Sequence, residues 1–177
     1  MNKIFLHTLI ASFLILSCSR RVERPLMDYS SGAPVKFPEW ECHQVFSLRL
    51  DSLTGKSFLE ISAFPKKEYP GIQIPWLTGD WSGYSTLTII ARIHDNRDSA
   101  SFNLIVFDGR GQFTFNNRFE KEFIVDSGWT VCEVSLLGGL TTPAGRAIDM
   151  NHINQIVFFT ERRMEPTVFD IGKIQLQ

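Results

Sequence analysis

The feature that most constrains this chain is an alternation of apolar and polar residues with period two, in short runs separated by Gly, Pro, Asn, Asp and Ser. Successive side chains of a strand point to opposite faces, so each run reads as a strand with one face on a core. Nine strands are expected, at 44–50, 57–63, 71–76, 86–94, 102–108, 113–125, 130–136, 155–160 and 168–176. Only 149–154 looks locally helical, and it is too short to cross between parallel strands. An all-β, antiparallel sandwich follows.

Aromatic content fits that reading, because 15 Phe, 4 Trp and 3 Tyr supply flat groups to fill the space between two sheets. Phe113, Phe115, Phe119 and Phe123 share a parity and so one buried face, with Asn116, Arg118, Glu120 and Glu122 opposite. In 86–94, Leu87, Ile89, Ala91 and Ile93 face one way, and Thr86, Thr88, Ile90, Arg92 and His94 the other.

The first residues have a different character. Lys3 precedes an apolar run at 4–16, which ends in Ile15-Leu16-Ser17-Cys18. The run falls well short of the ~20 residues a bilayer-spanning helix needs, so 1–17 reads as an export signal. Its closing tetrapeptide resembles a bacterial lipobox, with Ile15 where Leu is usual. The resemblance implies lipidation of Cys18, attachment to membrane lipid, and, with Ser19 next, the outer membrane of a diderm bacterium. Several acyl chains, at roughly 0.8 kcal/mol per buried methylene, make such an attachment effectively permanent. Ordinary cleavage near Ser17, with Cys18 a bystander, is the alternative.

Residues 18–39, with three Arg and three Pro, read as a tether, and 40–177 as one domain. Formal charge is −1 and no Lys/Arg cluster exists to neutralise a phosphate backbone, which excludes nucleic acid as a partner. Cys42 and Cys132 either pair in an oxidising compartment or stay as buried thiols.

Enzyme signatures fail. Gly55-Lys56-Ser57 imitates the end of a phosphate-binding loop, but Leu50 stands where that loop needs glycine. No His-Glu-x-x-His, Gly-x-Ser-x-Gly or Cys-x-x-Cys occurs, and His43, His94 and His152 are dispersed. Asp95 and Asp98 belong to a turn, where Asp is common. No catalytic centre is expected. The segment from Tyr69 through Trp76 to Trp81 and Tyr84 is richer. Its rings either stack on the apolar faces of sugars or cap one end of the core.

Asp80-Trp81-Ser82-Gly83-Tyr84, Phe107-Asp108, Asn117-Arg118-Phe119, Gly128-Trp129, and Phe169-Asp170 with Ile174 and Leu176 together resemble galactose-binding-like jelly rolls. That family includes carbohydrate-binding modules and bacterial envelope domains. The resemblance implies a jelly-roll sandwich and two sites. Asp170, with Glu41 and backbone carbonyls near Lys56, would hold a structural calcium, although Ile171 stands where a second acid is usual. Arg92, His94, Asp108, Asn116 and Arg118 would share a sheet face, where an Asp108–Arg118 pair either fixes the sheet or presents donors to a sugar.

The expectation is a non-catalytic, membrane-anchored lipoprotein that binds an oligo- or polysaccharide. Trp76, Trp81 and Tyr84 would stack, and Arg92, His94 and Asn116 would bond hydroxyls. A scaffold for another envelope protein is the alternative. A sugar binder should expose those rings around a polar groove, whereas a scaffold should bury them and expose an apolar patch elsewhere.

Overall fold

A computed structural model describes residues 37–177, except 95, 96, 162, 163 and the side chain of Trp76, together with the backbone of Arg24–Pro25. The signal 1–17, Cys18 and most of the tether lie outside the described residues.

The strands are β1 (Arg24–Pro25), β2 (Glu39–Trp40), β3 (Cys42–Leu50), β4 (Ser57–Pro65), β5 (Gly71–Gln73), β6 (Thr86–Ile93), β7 (Ser99–Phe107), β8 (Phe119–Asp126), β9 (Thr130–Ser135), β10 (Gln155–Thr160) and β11 (Thr167–Leu176). One antiparallel sheet runs β3-β4-β11-β6-β9, with β1 beside the end of β11; the other runs β2-β5-β10-β7-β8. The all-β antiparallel sandwich expected from the alternation is what the chain forms, and it has the jelly-roll form that the resemblance implied.

The core lies between the sheets. Leu59, Ile61 and Ala63 of β4, Leu87, Ile89 and Ala91 of β6, and Phe169 and Ile171 of β11 face Phe102, Leu104 and Val106 of β7 and Ile156 and Phe158 of β10. Phe102 stacks on Phe158 at 4.9 Å between ring centroids and takes Phe169 edge-on at 5.2 Å, linking the two sheets. Each buried ring contributes about 2 kcal/mol by transfer from water, and the paired geometry adds to that.

In β11 the buried parity switches from Phe169 and Ile171 to Ile174 and Leu176. A bulge between Ile171 and Lys173 makes the switch, leaving Gly172 out of the ladder so that both halves keep an apolar face on the core.

Three local expectations are corrected. The run 113–125 is not one strand: a 3-10 turn at Phe115–Asn117 precedes β8. There the Asn117 amide donates to the Gln112 carbonyl at 3.0 Å, a local bond that competes with the ladder. The turn breaks the parity of the phenylalanines. Phe119 and Phe123 pack against the main core, Phe113 packs on the opposite side of the sheet, and Phe115 is 58% exposed. Residues 149–154 form turns and a bridge at Ile153 rather than a helix. Beyond Gln73, the expected strand 71–76 becomes a 3-10 turn, Pro75–Leu77, where Pro75 has no N–H to give a ladder.

Cys42 and Cys132 are both buried free thiols. Burial pushes the Cys132 thiol up to about 12.

Candidate functional site

The outward face of the second sheet is built by the period-two alternation of β7, β8 and β10. Phe159 lies opposite Asn103, which lies opposite Glu122; Val157 lies opposite Ile105, which lies opposite Glu120. In an ordinary sandwich this face would be polar. Here Ile105, Val157 and Phe159 are buried on it as a second apolar cluster, with Trp40 and Phe113 packed against them.

Those covering rings do not close the face. They leave a cleft of about 340 Å³, lined by Trp40, Glu41, Tyr69, Asn103, Ile105, Phe115, Arg118, Glu120 and Phe159. Tyr69 stands edge-on to Phe159 at 5.9 Å and is 42% exposed. Trp40 stands edge-on to Phe113 at 5.7 Å. Gly71, between Trp40 and Phe159 in the ladder, makes this approach feasible, because a Cβ there would collide with the backbone of Phe158 and Phe159.

The polar part of the cleft is fixed. The Arg118 guanidinium donates to Glu120 through Nε at 3.0 Å and Nη2 at 2.7 Å, and lies over the Phe113 ring at 5.2 Å. Glu41, whose positive φ of 53° marks the bend between β2 and β3, accepts the Tyr69 amide N–H at 3.2 Å. Flat rings at the wall with donors and acceptors beside them offer ring faces to an apolar C–H surface and polar groups to hydroxyls.

Of the site residues expected from the sequence, Arg118 and Glu41 line this cleft, Glu41 having been expected as a calcium ligand. Trp81 is a correction: it is 1% exposed, with its indole N–H donating to the Leu77 carbonyl at 2.6 Å. It closes the end of the core and cannot stack on a ligand. Tyr84 is partly buried against the same core, and the Trp76 side chain lies outside the described residues.

Asp108 is also corrected. Its partner is Arg146, not Arg118, through Nη1 at 2.5 Å and Nη2 at 3.0 Å. Arg146 also donates through Nε to the Asn117 side-chain oxygen at 2.9 Å. Asp108 accepts the amides of Arg110 at 3.1 Å and Asp149 at 2.9 Å as well. Burial works to raise its carboxyl pKa, but the Arg146 bonds and these amides hold it below the usual range. Asp108 therefore ties loops together. Asn116 is exposed on the 3-10 turn, and the bonding there belongs to Asn117.

Arg92 and His94 lie on the other sheet, away from Arg118. Arg92 Nε donates to Asp170 at 2.6 Å, and its guanidinium sits between Phe58, 4.8 Å from the ring centroid, and Trp129, 4.4 Å away. His94 Nδ1 lies 3.4 Å from Glu60 and 3.8 Å from Asp170. Burial pushes the Asp170 carboxyl up, against the pull of Arg92.

Glu41 and Asp170 do not fit a shared calcium. Asp170 faces Glu60, whose β3 neighbour is Ser47, whereas Glu41 lies beyond Cys42 at the far end of that ladder. At 3.3 Å per residue the six positions from Ser47 to Glu41 separate them by roughly 20 Å. Glu60 and Asp170 do gather with His94, but Arg49 bonds Glu60 at 3.1 Å and Arg92 bonds Asp170, so cations of the chain already balance both acids.

No family model matches this sequence, and neither does any curated protein. Solved structures do match it. A family 11 carbohydrate-binding module from Clostridium thermocellum, solved with a β-1,3-1,4-mixed-linked tetrasaccharide, superposes with a TM-score of 0.59 at 18% identity, covering 87% of this chain and 94% of the module. An exo-β-agarase matches with a TM-score of 0.65 at 16% identity over 87% of this chain, and a second agarase with 0.60 at 22% over 88%. This chain spans only 25% and 24% of those agarase chains. At such identities the likeness establishes the fold.

Proposed function

We propose that this chain is a non-catalytic carbohydrate-binding lipoprotein of the cell envelope, and that the cleft on the β7–β10 face takes the sugar. Tyr69, Phe115 and Trp40 offer ring surface; Arg118, Glu120 and Asn103 offer hydrogen-bonding groups. The observation that carries the reading is the open aromatic cleft on a sheet face that has no structural need of one. The shared fold with a tetrasaccharide-bound module supports it. Lipid on Cys18 and the segment between it and Phe37, which is already buried in the core, would hold the domain at the outer membrane, where capture of a polymer needs proximity rather than turnover.

Calorimetric titration with β-1,3-1,4-mixed-linked and agar-derived oligosaccharides tests the cleft. Tyr69→Ala and Phe115→Ala should each weaken binding by about tenfold, the scale of one lost aromatic contact, without lowering the melting temperature of a ring already 42% or 58% exposed. Binding that survives both substitutions unchanged would place the sugar elsewhere.

A second reading, as a scaffold for an envelope protein, is favoured by one feature. The β3 edge and its following turn expose Val45 at 48%, Leu48 at 48%, Leu50 at 68% and Leu53 at 96%. Cross-linking through this edge in intact cells, with no sugar binding in solution, would favour it.

A further inference from the structure

We propose that the outward face of the first sheet carries a second ligand pocket, for a single sugar ring bearing a carboxylate, such as a hexuronate. This stands independently of the cleft on the other sheet. The pocket lies where the bulge of β11, the turn between β3 and β4 and the residue before β9 meet. Its volume is about 210 Å³, below the roughly 300 Å³ at which drug-sized pockets begin, which is room for about one sugar ring.

The apolar walls are Trp129, Phe58 and Ile90. Trp129 is locked in place. Its indole N–H donates to Asp51 at 3.3 Å, Phe58 meets it edge-on at 5.6 Å, and the Arg92 guanidinium lies over it. Gly172 completes the fit, since a Cβ there would come within 3.1 Å of the Trp129 ring. A wall held this firmly loses little freedom when a ligand meets it.

The charge of the pocket identifies the ligand. Asp51 is already engaged, accepting the Leu53 amide at 3.0 Å, the Thr54 amide at 2.9 Å and the Trp129 indole, with Arg92 at 3.6 Å. Arg92 is shared with Asp170, so these three groups together keep one negative charge. What remains on the lining is Lys56 and Lys173, neither in an ion pair with any described residue. The two lysines outweigh that one negative charge, and a net positive pocket with an aromatic wall matches a ligand with an anionic group and an apolar ring face. A neutral hexose lacks the first, and a small inorganic anion lacks the second.

The test is amide and indole chemical-shift mapping on the nitrogen-15-labelled chain, titrated separately with glucuronate, galacturonate, glucose, galactose and acetate. Either hexuronate should move the Trp129 indole and the Gly172 and Lys173 amides, and the Lys56→Ala/Lys173→Ala double variant should weaken that binding by about tenfold or more. Equal shifts from a neutral hexose or from acetate, no shift at Trp129, or affinity unchanged in the double variant would each overturn the proposal. Asn103 and Tyr69 report the other cleft in the same spectra, so the two sites succeed or fail separately.

Discussion

Two buried carboxylates are closed over by arginines, and they differ in the sign of their effect on stability. The Asp108 side chain is fully buried under an Arg146 that is itself 30% exposed. Arg146→Ala would leave this carboxylate with backbone amides only, and should cost about 2–3 kcal/mol, read as a fall in melting temperature. The Asp108 pKa is depressed by folding, so its contribution is present above the unfolded carboxylate value and is lost as pH falls through the folded one. Asp149, held at about 2 mainly by its bond to His152, adds to the same loss between pH ~4 and ~2. Asp170 runs oppositely: its raised pKa means the folded state takes up that proton first, so acidification relieves its burial. The expected outcome is that Asp108→Asn lowers stability at neutral pH but flattens the decline of melting temperature below pH 4. A decline as steep as that of the unaltered chain would contradict the assignment.

Elements show why the site was only partly legible from the sequence. Alternation reveals which residues face outward, but not which outward face is covered and which is open. Leu87 and Ile89 read correctly as core because their burial depends only on strand parity. Phe115 read as buried because parity was carried across 113–125, through a turn that Asn117 creates with its own side chain. Trp81 read as either a sugar platform or a cap on one end of the core, because an aromatic beside Gly and Ser suits both, and the fold decides for the cap. Arg118 could be placed on an outward face, whereas Trp40, Tyr69 and Asn103 join it through pairings between distant strands. The Asp108–Arg146 pair spans 38 residues, and no spacing rule announces it. Gly71 is the cue that was available: a glycine at the head of an apolar strand leaves room for a close backbone approach. Gly71→Ala should displace β5 from β10 and abolish sugar binding together with stability, unlike Tyr69→Ala, which should affect binding alone. Equal thermal stability of the two variants would show that the close approach is not required.

At the scale of the whole molecule, two sheets share one core and divide the outer surface into two chemically different faces. The β7–β10 face has an apolar floor with exposed rings at its walls; the β4–β11–β6 face is a network of acids and arginines around Trp129. Such a division lets each outward face meet a different ligand while the core between the sheets stays closed. Membrane attachment belongs to this scale too. Cys18→Ser should move the chain from the membrane to the soluble fraction on cell fractionation, and retention at the membrane would contradict lipid anchoring.

The central claim is that the cleft bounded by Trp40, Tyr69, Phe115 and Arg118 binds sugar. The most direct measurement is a crystal structure of the chain soaked with the oligosaccharide that binds best in titration. The account predicts a sugar ring stacked on Tyr69 or Phe115, with hydroxyls bonded to Arg118, Glu120 or Asn103. A ring seated anywhere else, or an empty cleft beneath an occupied surface, would contradict it.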